Sequence, residues 1–439
     1  MSARNRELMA LIPASLLLTA GFAAIFIQQS ERLSDVSLTY GAIFLLLCLA
    51  GHFLIRFTLP YADPYVFPLV SVLACFGLVV VYRIDETLAR EQAQWFVVGL
   101  ALFAATILLL RDFRVLERYR YTIALVGLLL LLLPRVPGIG QQVNGAYLGV
   151  KLGPIAFQPA EFAKIAIIVF LAAYLRDTRQ VLVQGSRRFL GITIPPLKYL
   201  GPILVVWGAA MFMLVFIRDL GSSLMYFGGF LALLYVATNR LSFVVIGMTM
   251  FALGAWFVAS TVSHVQDRVD IWLDPFNPQW VEKEGYQLAQ SVFAQADGGL
   301  FGTGFGASLL RGPGGETLIP APQTDLIYSV IVNEVGLVGA CGLLLVYLLL
   351  VERGFKIAMI AGDSFSKLLA AGLTAVLALQ VFVIVGGVTR VIPLTGVTLP
   401  FVSYGGSSIL ANFVLVALLL LVSDRARRPP NAPARKGLR

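Results

Sequence analysis

Apolar residues occur along this chain in long runs that are separated by polar stretches, most of them short. About 20 apolar residues cross a bilayer as an α-helix. By that rule the sequence predicts an all-α polytopic membrane protein with about 12 transmembrane helices. The predicted spans lie near 8–28, 37–57, 65–83, 92–110, 119–134, 160–176, 199–217, 222–238, 241–260, 326–351, 367–387 and 405–424.

Composition supports this fold class. Hydrophobic residues make up 58% of the 439 residues and charged residues 13%, and the mean hydropathy is +0.85. Soluble domains contain about 45–50% apolar and about 25% charged residues. Too few charged side chains remain to cover a soluble surface, and the same composition excludes disorder and nucleic-acid binding.

The distribution of basic residues predicts the orientation. An even number of spans places both termini on one side of the membrane. Cytoplasmic loops are enriched in Lys and Arg, and most of the 33 Lys and Arg residues fall on the inner side when the N-terminus is inside. We therefore expect both termini to be cytoplasmic, with a basic tail over 425–439 near anionic lipid.

Two outer loops are long, about 135–159 and about 261–325. Long loops are usually either functional or disordered. The second contains aromatic residues such as Tyr286 and Phe293, so we expect it to be ordered and to pack over the outer mouth of the bundle. Its glycine-rich stretch 302–306 lacks the strand and lysine of a nucleotide-binding loop, and we interpret it as a flexible turn.

Cysteine and histidine limit the available chemistry. The cysteines Cys48, Cys75 and Cys341 all lie in apolar runs, which excludes a disulfide framework and a CxxC metal site. The two histidines, His52 and His264, are far apart, and no HExxH motif is present. Acid–base chemistry would therefore fall to carboxylates.

Ionisable residues at the ends of the predicted spans are functional candidates. Glu161 and Lys164 lie three residues apart on one helix face after Pro159, either as a local ion pair or as part of a substrate site. Arg218 and Asp219 lie in a tight outer turn, where Asp219 could simply cap the next helix. These local patterns leave both alternatives open.

The last and the tenth spans each begin with polar residues. Ser407 and Ser408 open the last span, where backbone N–H groups could bind an anion or a serine could form a plain cap. Asp325 directly precedes the tenth span as either an N-cap or a catalytic carboxylate. Glu334 lies deeper in that span and needs a partner if it is buried, either Asn333 or an Arg of another helix.

Several stretches together resemble the SEDS family (shape, elongation, division and sporulation), which includes RodA and FtsW. They occur in family order, and Gly386–Arg390 and the two extra N-terminal helices resemble actinobacterial RodA-type members most closely. The stretches are Asp63–Pro64, Asn144–Ala146, Phe157–Lys164, Asp219–Gly221, Trp272–Pro275, Gly285–Gln287, Thr324–Asp325 and Pro393–Ser408.

The resemblance implies three regions. A SEDS transmembrane core would cover 61–424 and include the outer loop 261–325. A two-helix N-terminal extension would precede it over 1–60, and the basic cytoplasmic tail would follow over 425–439. The protein would lie in the bacterial plasma membrane.

The resemblance also implies an activity, that of a peptidoglycan glycosyltransferase that polymerises lipid II into β-1,4 glycan strands during cell elongation and shape maintenance. Lipid II carries its own pyrophosphate leaving group, which suits an enzyme on the outer face without an ATP-binding signature. The implied partners are lipid II, a class B penicillin-binding protein and membrane lipids, but no nucleic acid.

The roles of individual residues follow from the same resemblance. Asp325 matches the family's essential aspartate and would be the general base. The departing pyrophosphate needs cations or N–H dipoles, and a divalent cation such as Mg or Mn could share that role. The candidate substrate-binding residues are Glu161, Lys164, Arg218, Asp219, Lys151, Arg390, Ser407 and Ser408.

The chain departs from the family pattern at a few positions. Tyr147 stands where a Trp is frequent, Arg218 where a Pro is common, and Asn333 where the first of two paired glutamates is usual. A lipid II flippase or another secondary transporter is the main alternative, although such transporters show inverted repeats and midplane polar groups. A third possible function is that of a scaffold that recruits a cell-wall partner.

Overall fold

The protein is described by a computed structural model that covers 2–30, 35–110, 112–143, 146–152, 155–184, 187–189, 192–194, 208–209, 212, 216, 219–308 and 318–430. The described residues form mostly helices. These are α1 (Ala3–Ser30), α2 (Asp35–Thr58), α3 (Val66–Ile84), α4 (Glu86–Leu109), α5 (Val115–Arg118), α6 (Arg120–Leu132), α7 (Ala160–Gln184), α8 (Leu220–Thr238), α9 (Leu241–Thr261), α10 (Ser263–Leu273), α11 (Tyr286–Gly298), α12 (Ile327–Ile360), α13 (Ser364–Val388) and α14 (Gly406–Arg427).

The helices confirm the predicted fold class of a polytopic helical membrane protein. Among the described residues, 8 helices are long and apolar enough to cross a membrane by length and composition. The number twelve stays a prediction. The span predicted near 199–217 falls almost entirely outside the described residues.

The chain folds into two compact units. The first unit comprises 1–111, 271–353 and 380–439, and the second comprises 112–270 and 354–379. Each unit has its own buried apolar core. Glycines lie at close contacts in both units, for example Gly77 beside Val402 in the first unit and Gly247 beside Leu231 in the second.

The core of the first unit centres on an aromatic cluster. The ring of Phe413 on α14 lies 5.3 Å from Phe96, 6.1 Å from Phe103 and 5.5 Å from Phe401, measured between centroids. A Cβ at Gly77 on α3 would lie 2.5 Å from the Cα of Val402, so only glycine permits this approach. The helices α3, α4 and α14 therefore pack tightly around the segment that precedes α14.

A buried ionic cluster joins α1 and α2 to the start of α3. Glu7 accepts a hydrogen bond from Arg4 and lies 2.8 Å from Nδ1 of His52. Arg4 also donates to the carbonyl oxygen of Ala62. Nearby in sequence, Asp63 pairs with Arg427 of α14. Buried charges in helical membrane proteins are paired, and this cluster follows that rule.

Helix α12 is broken at Gly336, whose φ of 69° and ψ of −178° are not helical. The break removes the bonds that the N–H groups of Leu337 and Val338 would make within the helix. Those N–H groups donate instead to the carbonyls of Gly299 and Leu300, at 3.0 and 3.1 Å. The bonds from the loop compensate for the break.

The same loop satisfies the carbonyls that the break leaves open. The N–H groups of Thr303 and Gly304 donate to the carbonyls of Asn333 and Glu334, at 2.9 and 3.1 Å. The glycine-rich stretch is a turn, as expected, and its backbone replaces one turn of α12. Unpaired backbone groups are costly in a membrane, so such a break requires a bound segment of this kind.

In its described part, the second unit combines helices with two small antiparallel sheets. The strands β1 (Gly140–Val143), β2 (Ala146–Leu152) and β3 (Ile155–Phe157) form one sheet in that order, and β4 (Arg187–Phe189) pairs with β5 (Ile192–Ile194). The first sheet leads directly into α7. A buried cluster of Leu131, Ala163 and Tyr226 holds α6, α7 and α8 together.

The long loop 261–325 contains two helices in its described part, α10 and α11. Its residues up to Asp270 belong to the second unit, and those from Ile271 belong to the first. Asn333 on α12 donates a 2.7 Å hydrogen bond to the carbonyl of Ala294. That bond fixes α11 against α12 within the first unit.

Candidate catalytic site

Asp325 lies in a turn two residues before the first residue of α12, and its side chain is partly exposed. The hydroxyl of Thr324 lies 2.9 Å from Oδ1 of Asp325 and 3.1 Å from the carbonyl oxygen of Ala321. The carboxylate is thus held by its own neighbour while part of it stays accessible. A general base needs this combination of fixed geometry and access.

The backbone around Asp325 is held by the segment before α14. The hydroxyl of Ser403 donates to the carbonyl of Thr324 at 2.6 Å and accepts the N–H of Leu399 at 2.9 Å. The N–H of Tyr404 donates to the carbonyl of Gln323 at 2.8 Å. Two adjacent residues of this one segment therefore fix the turn that carries the carboxylate.

Gln92 on α4 supports this arrangement. Its amide nitrogen donates to the carbonyl of Ser403 at 3.0 Å, and its amide oxygen accepts the N–H of Gly405 at 3.2 Å. Tyr404 donates its hydroxyl to Glu91. Burial and the adjacent Glu91 carboxylate raise the pKa of Tyr404, so its hydroxyl stays protonated as a donor.

Gly396 borders the carboxylate. Its φ is 69°, a conformation that favours glycine. Among the described residues, and apart from its chain neighbours, a Cβ at Gly396 would meet only Oδ2 of Asp325 within 4 Å, at 3.9 Å. A side chain at this position would therefore make an ordinary van der Waals contact with the carboxylate.

Glu334 is buried, and its partner is Arg83 of α3. Its Oε1 lies 3.3 Å from Nε of Arg83 and accepts the hydroxyl of Ser308 at 2.6 Å. Its Oε2 accepts the N–H of Gly306 at 3.1 Å. The expectation of an Arg from another helix is met, and Glu334 anchors the loop rather than facing open space.

Arg390 and the two serines of α14 have local partners. The guanidinium of Arg390 donates to the carbonyls of Trp272 and Leu273, at 3.2 and 3.1 Å, and the indole of Trp272 donates back to the carbonyl of Arg390 at 3.0 Å. Ser408 accepts a 3.2 Å hydrogen bond from Asn412. The N-cap position of α14 is Gly405, so Ser407 and Ser408 lie in the first turn of the helix and not at the cap position.

In the second unit, Glu161 and Lys164 form the ion pair that their spacing predicts. The Nζ of Lys164 lies 2.6 Å from Oε2 of Glu161, and the two side chains are 1% and 4% exposed. The hydroxyl of Tyr226 donates to the carbonyl of Ala160 at 2.7 Å, which ties α8 to the start of α7. The prediction of a local ion pair is therefore confirmed. The role of these two residues in substrate binding stays a prediction.

Asp219 caps α8, as the local pattern allowed. Its side chain accepts the N–H of Ser222 at 2.9 Å. Burial raises the pKa of Asp219, and the Ser222 hydrogen bonds and Arg268 only partly oppose that effect. Lys151 on β2 is exposed. Arg218 lies outside the described residues.

The predicted site residues fall into two groups. Asp325, Arg390, Ser407 and Ser408 belong to the first unit, and Glu161, Lys164, Asp219 and Lys151 belong to the second. Within the described ranges, no group of three or more His, Cys, Asp and Glu side chains could hold a metal ion. The divalent cation therefore stays a prediction.

Sequence reasoning missed the residues that hold Asp325 in place. Ser403 and Gln92 are far from it in the chain, and neither is ionisable. Ser403 stands inside the stretch that resembles the SEDS family, and this resemblance is the sequence feature that could have identified it. Gln92 carried no comparable signal, being one polar residue of a predicted span.

The fold and the paired buried charges define a class, that of polytopic helical membrane proteins with a carboxylate-bearing turn at a helix start. The sequence pattern of the cell cycle protein family of FtsW, RodA and SpoVE matches residues 63–428. The chain belongs to this family.

Curated relatives give the same assignment. The peptidoglycan glycosyltransferase RodA of Mycobacterium tuberculosis is 40% identical over 97% of this chain and 92% of the relative. The stage V sporulation protein E of Bacillus subtilis is 30% identical over 79% of this chain and 90% of the relative. The mycobacterial alignment extends over most of the chain.

Solved structures also resemble this fold. A chain of a peptidoglycan synthase complex superimposes with a TM-score of 0.67 at 28% identity, covering 84% of this chain and 99% of that chain. The rod shape determining protein RodA of Thermus thermophilus gives a TM-score of 0.58 at 27% identity, covering 84% of this chain and 98% of that chain.

Proposed function

We propose that this protein is a peptidoglycan glycosyltransferase of the bacterial plasma membrane, which polymerises lipid II into β-1,4 glycan strands during cell elongation and shape maintenance. The observation that carries the proposal is the partly exposed Asp325, whose Oδ1 lies 2.9 Å from the Thr324 hydroxyl at the start of α12. Family membership and the activity for which the mycobacterial relatives are named support it.

The proposed reaction is one inverting displacement. Asp325 takes the proton from the 4-hydroxyl of the acceptor sugar as that oxygen forms a bond to the anomeric carbon of the donor chain. The bond from that carbon to the pyrophosphate oxygen breaks, and undecaprenyl pyrophosphate leaves with the electron pair. A carboxylate in its ionised form can accept this proton and so serve as the base.

Stabilisation of the leaving pyrophosphate falls to cationic side chains and backbone dipoles in this proposal. Lys164 is the first candidate, because Glu161 holds its ammonium group in a fixed position. Arg218, Arg390 and the turn at Ser407 are further candidates, with Lys151, Asp219 and Ser408 as remaining substrate contacts. No step is assigned to a metal ion.

The protein would lie in the membrane with a defined orientation and bind both a substrate and a protein partner. Both termini lie in the cytoplasm, and Asp325 faces the outer side, because most basic residues are then on the inner side. A class B penicillin-binding protein is the proposed protein partner, and lipid II is the substrate. The likeness to a chain of a complex that coordinates polymerization and crosslinking supports such a partnership.

The proposal divides the chain as its sequence suggested. Residues 61–424 form the catalytic core with the loop 261–325, residues 1–60 form an N-terminal extension, and residues 425–439 form a basic tail. The contact of Arg4 with the carbonyl of Ala62 supports an extension that is fixed to the core.

Polymerisation of purified lipid II tests the function. Full-length protein, purified with and without a class B penicillin-binding protein, is incubated with fluorescent lipid II, and the products are separated by size. Glycan strands that a muramidase digests are the expected result. Movement of lipid II across proteoliposome bilayers without any glycan product would favour the flippase alternative and contradict the proposal.

A further inference from the structure

Gln92 is a buried polar side chain in the second turn of α4, with 3% of its surface exposed. The other described residues that line the cavity beside it are all apolar, namely Phe44, Ala74, Leu78, Phe96, Phe401 and Ile409. A buried amide costs free energy unless its hydrogen bonds are made. The partners of this amide therefore indicate its role.

The amide of Gln92 bonds at two points to the segment before α14. Its nitrogen donates to the carbonyl of Ser403 at 3.0 Å, and its oxygen accepts the N–H of Gly405 at 3.2 Å. On the same face of α4, the ring of Trp95 packs against Gly406, where a Cβ would lie 2.5 Å from the ring. One stretch of α4 therefore holds successive residues of this segment.

The segment in turn holds the two residues that precede the proposed base. The hydroxyl of Ser403 donates to the carbonyl of Thr324 at 2.6 Å. The N–H of Tyr404 donates to the carbonyl of Gln323 at 2.8 Å. Because a hydroxyl has one proton to donate and Ser403 accepts the N–H of Leu399, that proton is directed to the turn. Hydrogen bonds therefore run without interruption from α4 to the turn.

We infer that Gln92 is a positioning residue for Asp325 and that it acts through Ser403. Its amide fixes the backbone of Ser403, and the hydroxyl of Ser403 fixes the backbone beside the carboxylate. A displacement of about 1 Å can lower the rate of a catalysed reaction about 100-fold. The role of Gln92 is thus to place the base. This inference rests on the proposed function.

The test compares kcat and KM of full-length variants in the lipid II assay, at a temperature below the thermal midpoints of all of them. Gln92→Met removes both hydrogen bonds and places an apolar side chain of similar length in the apolar surroundings. We expect kcat to fall about 10- to 100-fold, a loss typical of a misplaced catalytic group. KM should change little, because the residues that bind lipid II are unchanged.

Gln295→Met is the matched control for the loss of an amide that bonds to a backbone carbonyl. Gln295 on α11 donates to the carbonyl of Val388 at 3.0 Å, and Val388 lies outside the segment 399–405. The thermal midpoint of this variant should fall, as that of Gln92→Met does. Its kcat should stay near the wild-type value, so the comparison separates positioning from stability.

A double-mutant cycle tests the route through Ser403. Ser403→Ala removes the hydroxyl that donates to Thr324 and should itself lower kcat. Independent effects on kcat multiply, whereas residues in one hydrogen-bond network are coupled. We expect the loss in Gln92→Met/Ser403→Ala to be smaller than the product of the two single losses. A loss equal to that product overturns the route through Ser403.

The remaining outcomes separate the inference from the function. Wild-type polymerisation together with a fully active Gln92→Met protein overturns the inference alone. Equal losses of kcat in Gln92→Met and Gln295→Met also overturn it, and so does a rise in KM at unchanged kcat. A wild-type protein that makes no glycan overturns the proposed function and the inference with it.

Discussion

Arg83 of α3 and Glu334 of α12 form an ion pair, with Nε and Oε1 3.3 Å apart and side chains that are 15% and 1% exposed. Arg83 also donates to the carbonyl of Ser308 at 3.0 Å. Both residues therefore contact the loop that replaces a turn of α12. The pair connects α3, the broken helix and the loop in one polar cluster.

Removing one partner of this pair should destabilise the protein. Arg83→Met leaves the buried Glu334 carboxylate without its cation, which typically costs about 3–5 kcal/mol. We expect a clear fall in the thermal midpoint of the detergent-solubilised protein. The control is Arg90→Ala, because Arg90 and Glu86 form an exposed pair, and exposed pairs contribute about 0–1 kcal/mol. Equal midpoints for the two variants would contradict this account.

The break in α12 should not tolerate a side chain at Gly336. A Cβ there would lie 2.3 Å from the backbone nitrogen of Gly302, and the φ of 69° is itself unfavourable for alanine. Gly336→Ala should therefore lower the thermal midpoint and increase proteolysis of the loop. Gly342→Ala on the same helix is the matched control, since a Cβ there meets nothing within 4 Å among the described residues. A Gly336→Ala protein as stable as the control would show that the break is not required.

The buried Lys164 should be needed for stability as well as for activity. Lys164→Ala leaves Glu161 buried without its 2.6 Å partner, with an expected cost of about 3–5 kcal/mol. Lys164→Ala/Glu161→Ala removes both charges and should recover part of the stability without recovering polymerisation. Recovery of activity in the double variant would mean that the lysine has only a structural role.

Asp219 should make stability depend on pH. Burial raises its pKa above the ordinary value of 3.8, so the folded protein binds this proton more tightly than the unfolded chain. Its contribution to stability is therefore present below 3.8 and is lost as the pH rises through the raised pKa.

The substitution Asp219→Asn tests this dependence, because an amide does not titrate yet keeps an acceptor oxygen for the helix cap. The wild-type protein should show a decline in thermal midpoint as the pH rises above 3.8, and the variant should lose that decline. Asp219→Ala is the control, because it also removes the titration but loses the cap, at a cost of about 1 kcal/mol. Identical pH profiles for the wild-type protein and Asp219→Asn would contradict this assignment.

Much of the fold follows from the sequence because a membrane demands long apolar helices with internally paired backbones. The positions of α8, α9 and α13 lie within a few residues of their predicted spans. The break at Gly336 was not predicted, since glycine occurs within many apolar helices. It depends on bonds from the loop near Gly302, which no local pattern reveals.

The sequence predicted the reactive residue of the candidate site but not the residues that hold it in place. Asp325 was found because it stands in a stretch that resembles the SEDS family, whereas local chemistry alone left it as either an N-cap or a catalytic carboxylate. The position of Glu334 within a predicted span indicated that it needs a partner. The sequence did not indicate that this partner is Arg83. Ser403 lies 79 residues from Thr324 in the chain, and only the folded structure brings such distant residues together.

The role of Asp325 as the base is tested by the initial rate of lipid II polymerisation by Asp325→Asn. The amide keeps the shape of the side chain but cannot accept the proton at neutral pH. Asp297→Asn is the matched control, because Asp297 is exposed at the end of α11 in the same unit. We expect loss of glycan synthesis in Asp325→Asn at normal expression and thermal midpoint, with wild-type rates in Asp297→Asn. Polymerisation by Asp325→Asn at the wild-type rate would contradict it.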